Sequence, residues 1–212
     1  MDIDSRISAL ERKLRRPGRP GLKAQLKLAP DPRPGHRIYA EVEESCRRAG
    51  VLVLLFPRQG RLCVLLTRRT SELLHHRAQI SFPGGQQEPD ENLRATSLRE
   101  AWEEVGIPPE RPKILGELTP LYIPPSNFCI YPTVASLADP PELKPCEKEV
   151  AEVLEVPLDH LAHPDSFKRE IWKIRGEDVS VPFFEFGERR IWGATAMVLA
   201  ELLEIYSDAH QD

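Results

Sequence analysis

Arg99, Glu100, Glu103 and Glu104 fall within six consecutive positions, in the stretch REAWEE. Like charges three or four residues apart on a helix destabilise it by about 0.2–0.5 kcal/mol per pair. A cluster of this kind is either a solvated face or a place prepared for a cation. Hard divalent cations such as Mg²⁺ take oxygen ligands, keep several waters and commonly sit on a few carboxylates plus a substrate phosphate. Histidine and cysteine are missing from the cluster, which makes zinc or copper the weaker reading.

The carboxylates need a rigid carrier. Asn92 can cap a helix through its side-chain oxygen and Gly106 can end one in the left-handed conformation, so the residues predict a helix over Leu93 to Val105. At 100° per residue, Leu98, Ala101, Trp102 and Val105 share one arc and Glu100, Glu103 and Glu104 the opposite one, predicting an apolar anchor face and an exposed acidic face. GVLVLLF (50–56) and LCVLLT (62–67), separated by PRQGR, read as two core strands of a hairpin turned at Gly60. Segments 114–123, 128–137, 172–174 and 179–186 read as further strands, 149–161 as a short strand running into a helix, and the stretch around Val198, Leu199, Leu202, Ile205 and Tyr206 as a closing helix. Ile3, Ile7, Leu10 and Leu14 mark a short N-terminal helix that the segment Pro17 to Gly21 terminates. Interleaving without a regular βαβ period implies an α/β fold, a mixed sheet with helices on its faces.

Counting from Gly85, five residues lead to Glu91, seven more to Arg99 and Glu100, and then follow Ala101, Trp102, Glu103, Glu104, Val105, Gly106 and Ile107. This is the complete pattern G-x5-E-x7-R-E-U-x-E-E-x-G-U, with U apolar, and the chain therefore resembles the Nudix hydrolases. Seven fixed identities at fixed spacing arise by chance on the order of once in a hundred million starting points. The resemblance implies an α/β/α sandwich with a loop-helix-loop Nudix motif, and hydrolysis of a nucleoside diphosphate linked to another moiety with Mg²⁺ or Mn²⁺. Carried over by position, Glu100 and Glu104 are expected metal ligands, Glu103 a ligand or a holder of metal-bound water, and Gly84 or Gly85 a backbone ligand. Arg99 and Glu91 are expected orienting partners. A bound divalent cation makes its water acidic and neutralises diphosphate charge; Glu149 or Glu152, ahead of VPLDHL, are candidates to accept the proton.

Upstream, LLTRRTSELLHHRAQISFPGG (65–85) is similar to a second motif that marks coenzyme A diphosphatases. Leu65, Leu66, Thr67, Arg69, Phe82, Pro83, Gly84 and Gly85 match it, whereas Thr70, Leu74 and Ala78 depart from it. Leu74 stands where the motif has an arginine, and a leucine cannot bind phosphate. Arg68, Arg69, His76, Arg77 and Phe82 are the expected substrate contacts, with His75 a further substitute for the lost cation. The implied reaction splits coenzyme A or its thioesters into 3',5'-adenosine bisphosphate and 4'-phosphopantetheine. Alternatives are ADP-ribose, a dinucleotide or a nucleoside triphosphate as substrate, or a catalytically silent Nudix binding module.

The rest of the composition mainly excludes. A net charge of −4 without a basic-aromatic stripe gives no reason to expect a nucleic-acid partner. The longest strongly apolar run, 51–56, is too short to span a bilayer. The N-terminus lacks the apolar core of a secretory signal and the chain ends AHQD rather than in a peroxisomal signal, so the expected address is the cytoplasm. Cys46, Cys63, Cys129 and Cys146 form no CxxC pair and are expected to be reduced packing residues. The expected organisation is an N-terminal helix and extended arm (1–48), a Nudix domain (49–206) and a short tail (207–212), with a homodimer as the assembly the resemblance suggests.

Overall fold

The computed structural model describes residues 2–35, 37–70 and 79–208. Its organising strand is β1 (Arg47–Arg58), which pairs in parallel with β7 (Phe128–Ser136) along one edge. The other edge of β1 is shared. Its distal half forms a hairpin with β2 (Arg61–Arg69), and its proximal half pairs with β4 (Gly84–Gln86). The hairpin turn is Gln59 and Gly60, both at positive φ (50° and 73°), the geometry whose twist matches that of paired strands. Beyond β2 lie β3 (Ile80–Ser81) and β8 (Val150–Pro157), and β7 carries β5 (Lys113–Glu117) and β6 (Leu121–Ile123) on its far edge. A second sheet, β9 (Phe167–Ile174), β10 (Glu177–Phe186) and β11 (Arg189–Trp192), is an antiparallel meander.

Both faces of the main sheet are covered, which is why 51–56 is apolar at every position rather than at alternate ones. Leu52, Leu54, Phe56, Cys63 and Leu65 face Ala101 and Val105 of α3 (Leu93–Val105). Val53, Leu55, Leu62, Val64 and Leu66 face a larger core closed by α5 (Gly193–Asp208) and by Leu10 and Leu14 of α1 (Ile3–Arg15). The N-terminal arm is thus built into the domain core. Its second helix, α2 (Gly21–Leu26), which no sequence pattern announced, places buried Gln25 against buried Glu201 of α5 at 2.8 Å. Segment 158–162 forms α4 (Leu158–Ala162). Among the described residues no helix is long and apolar enough to cross a membrane.

Three expectations change. Segment 114–123 is two strands, because Thr119 turns its amide to the Glu201 carboxylate at 3.1 Å and Pro120 has none to donate. Strand β9 begins five residues before 172, at Phe167. Cys46 and Cys129, expected to be reduced, are joined in a disulfide, with Cα atoms 5.8 Å apart. The reason is register: parallel pairing sets Arg47 beside Phe128 and Arg48 beside Cys129, so Cys46, just ahead of β1, meets a cysteine 83 positions away. Spacing along the chain carries no trace of that approach. Cys63 and Cys146 remain free.

A cross-link over so long a loop restricts the unfolded chain. Replacing Cys46 by Ser is expected to lower the unfolding free energy by about 2–5 kcal/mol in denaturant titrations. Thiol counting in denaturant without reductant is expected to find two reactive cysteines; finding four would show the bond absent.

Candidate active site

Helix α3 forms where expected and for the expected reasons. The Asn92 side chain accepts from the Ala95 amide at 2.9 Å, and Gly106 (φ 75°) ends the helix in the left-handed region. Its orientation differs from the expected one. Trp102, assigned to the anchor face, is 51% exposed, whereas Glu104, assigned to the outer face, is 3% exposed. The buried face instead includes Ser97, Ala101, Glu104 and Val105. Small side chains are required there because the helix lies almost on the strands: a Cβ on Gly50 of β1 would fall 2.3 Å from the Leu93 carbonyl and 3.0 Å from the Ser97 amide. Trp102 has no room on that face.

Glycine also admits the carboxylates. A Cβ on Gly84 would strike Gly50 and Val51 across the β1–β4 pair, and one on Gly85 would lie 2.4 Å from the Glu100 carboxyl carbon. Glu104 points into the junction where β2 leaves β1 and β4 takes its place. There its Oε2 lies 3.5 Å from the Thr67 hydroxyl and its Oε1 3.8 Å from Arg69. Burial pushes the Glu104 carboxyl up to about 7, against the downward pull of Arg69, and the charges on Glu100 and Glu149 push the same way as burial. Burial likewise raises Glu100 against Arg99, with Glu103 and Glu149 adding to the rise.

Arg99 is the counter-charge. Its Nε and Nη2 reach the two oxygens of Glu91 at 3.0 and 3.2 Å, and its Nη1 donates to Glu100 at 2.9 Å and Glu103 at 3.1 Å. Glu91 also accepts from Thr96 at 2.8 Å. The expected orienting pair, Glu91 and Arg99, is therefore in contact and tied to the helix.

The structure separates the two candidate proton acceptors. The amides of Lys144 and Cys146 donate to the terminal α3 carbonyls of Val105 and Glu104, each at 2.9 Å, and Thr70 donates its amide to the Glu149 carbonyl. These bonds close the end of α3 and bring the segment before β8 alongside it, so that the Glu149 charge bears on both Glu100 and Glu104. Glu152 lies elsewhere, held by Arg189 and by Arg68 at 2.9 Å, and these two arginines keep its carboxyl below the ordinary range. Glu152 is corrected from candidate acceptor to ion-pair partner.

The expected substrate contacts also divide. Arg69 shares the face of β2 with Glu104, whereas Arg68 turns to the opposite face and spends its guanidinium on Glu152. Phe82 is buried in the larger core and presents no surface to a substrate. His76 and Arg77, with His75, Leu74 and Ala78, lie outside the described residues.

The donor set suits a hard divalent cation. Glu100 and Glu104 bring carboxylate oxygens beside Gly84 and Gly85, and a carboxyl buried as deeply as Glu104, with Arg69 no nearer than 3.8 Å, would be stabilised as a carboxylate by a metal. Among the described residues no three His, Cys, Asp or Glu side chains converge as a ready cage, since Arg99 draws Glu100 and Glu103 to itself. That fits a cation that keeps waters and takes phosphate oxygens better than one enclosed by protein.

Residues 47–174 match the NUDIX domain family. The chain belongs to the Nudix family. It is 34% identical over 181 residues to the uncharacterized Nudix hydrolase NudL of Photorhabdus laumondii, covering 85% of this chain and 92% of that one. It is also 34% identical over 188 residues to the mitochondrial coenzyme A diphosphatase of Homo sapiens, covering 79% of each. A MutT/nudix family protein from Enterococcus faecalis superposes with a TM-score of 0.52 at 20% identity, over 78% of this chain and 63% of that one, a likeness of fold. The protein is thus a Nudix hydrolase, an enzyme acting on phosphorus-containing anhydrides, and Nudix hydrolases generally need divalent metal ions.

The glycines separate scaffold from chemistry. Gly50→Ala is expected to lower stability by about 3 kcal/mol, because backbone must move. Gly85→Ala meets only the end of a side chain and is expected to keep thermal stability within a few degrees while turnover falls about 100-fold or more. Thermal melts and assays on both variants check the contrast.

Proposed function

We propose that this Nudix hydrolase cleaves coenzyme A or its thioesters to 3',5'-adenosine bisphosphate and 4'-phosphopantetheine or its acyl form. The observation that carries the reading is the extended likeness to a coenzyme A diphosphatase, combined with the LLT, Arg69 and FPGG residues ahead of the box. Glu100 and Glu104, with Glu103, would hold Mg²⁺ or Mn²⁺ beside the Gly84 carbonyl, and the bound ion would supply charge neutralisation of the diphosphate and acidify its water. Arg99 and Glu91 hold the Glu100 and Glu103 carboxylates in place. Arg69, on the face of Glu104, is placed to meet a diphosphate oxygen. Glu149 accepts the proton of the attacking water as oxygen bonds to phosphorus, and the bridging oxygen leaves with the electron pair of the broken P–O bond.

A second reading keeps the same carboxylates and changes the substrate to ADP-ribose, a dinucleotide or a nucleoside triphosphate. Leu74 in place of an arginine favours it.

Purified protein with Mg²⁺ and a panel of these diphosphates is expected to release 3',5'-adenosine bisphosphate from coenzyme A or its thioesters faster than it turns over the others. Intact coenzyme A beside a cleaved alternative would decide for the second reading. Glu104→Gln is expected to cut kcat about 100-fold or more, while equal background turnover by both proteins would point to a binding module.

Glu104, poised near pH 7, makes metal binding pH-linked. A group whose folded pKa is raised binds more protons folded than unfolded, so without metal it lowers stability as pH rises from its ordinary value towards 7. A cation binds the ionised form. Titration calorimetry of Mg²⁺ in buffers of different ionisation enthalpy is expected to show proton release at pH 6 that shrinks by pH 8, and less release at pH 6 in Glu104→Gln.

A further inference from the structure

The first turn of α3 borders a cavity of about 570 Å³, within the range of about 300–1,000 Å³ usual for small-molecule sites. The rise of seven helical residues puts it about 10 Å from Glu100. Thr133 of β7 lines it, is 2% exposed, and finds no hydrogen-bond partner for its hydroxyl among the described residues. An occupant of the cavity would give that hydroxyl a partner. The amides of Leu93 and Arg94, the residues ahead of the capped Ala95, likewise donate to no protein acceptor among the described residues. They sit at the positive end of a thirteen-residue helix.

Charge and shape limit what would fit. Arg94, about half exposed, pairs with the Glu117 carboxylate at 3.2 Å, while Arg19, from the link between α1 and α2, donates to the Glu117 carbonyl. Only Arg94 is paired with that carboxylate, so the guanidinium of Arg19, bonded to a neutral carbonyl, brings a positive charge beside two open amides, a set suited to a tetrahedral oxyanion. Leu93, Leu118 and the ring of Tyr131 form apolar wall, the Tyr131 hydroxyl being engaged at 3.0 Å with that of Tyr39.

We propose that this cavity binds a small organic phosphate monoester, apart from the carboxylate site. Its phosphate lies at the first turn of α3 against Arg94 and Arg19, its body against Leu93, Leu118 and Tyr131, and the Thr133 hydroxyl supplies a further hydrogen bond. The ligand is an organic phosphate rather than inorganic phosphate because the wall beyond the cations is apolar.

The test is titration calorimetry on the full chain, free of added metal, with phenyl phosphate and inorganic phosphate as probes. Phenyl phosphate is expected to bind saturably and about 10-fold more tightly than inorganic phosphate, with the same affinity in Glu104→Gln, in which the carboxylate site is altered. Arg94→Gln, at an exposed position, and the near-isosteric Thr133→Val are each expected to weaken it 10-fold or more. Hydrolytic turnover by Arg94→Gln is expected to stay close to that of the unmodified protein. Absence of saturable binding, equal affinity for both probes, loss of binding in Glu104→Gln, or unchanged affinity in Arg94→Gln would each overturn the proposal. Because the outcome is read as binding, it stands or falls separately from the identity of the hydrolysed substrate.

Discussion

The close approach of α3 to the β1–β4 pair is the constraint on which the site depends. A helix packed through ordinary side chains rides too high above a sheet for a carboxylate to reach between strands. Gly50 removes that spacing, and Ser97 and Ala101 keep the facing helix surface small. The helix then settles deep enough for Glu100 to lie on Gly85 and for Glu104 to enter the junction between β2 and β4. The same seating turns Trp102 outward. Each glycine in this region answers a contact with a named neighbour rather than a need for loop flexibility.

The electrostatics follow from that burial. Three carboxylates on one helix turn would repel strongly if desolvated alone, and the fold answers in two different ways. Arg99 forks between Glu91, Glu100 and Glu103, holding these carboxylates with charge-assisted hydrogen bonds. Glu104 is not among its partners and has only Arg69 at 3.8 Å, so burial pushes its carboxyl up. A hard cation would suit such a group, in keeping with a family that generally needs divalent metal.

Local signals in the sequence were sufficient for much of this. Asn92 and Gly106 bounded α3 to the residue, since capping depends on neighbours within one turn. Gly60 marked the hairpin, and the box spacing marked the reaction class. Contacts between distant segments were not legible in the same way. Parallel pairing of β1 with β7 brought Cys46 to Cys129, and bonds from Lys144 and Cys146 to the end of α3 brought Glu149, but not Glu152, to the carboxylates. Alternation along β2 assigned Arg69 to the site and Arg68 to the other face, a choice that two adjacent arginines do not reveal by themselves.

By itself, then, the sequence determined the family, helix α3, the β1–β2 hairpin and the identity of the box carboxylates, because motif spacing, turns and caps act over a few residues. Which way α3 faces, which outside carboxylate joins it and which arginine stands beside it were decided only by the tertiary structure. Those choices depend on strand register and on how closely two backbones approach, and neither quantity is written in any single segment of the chain.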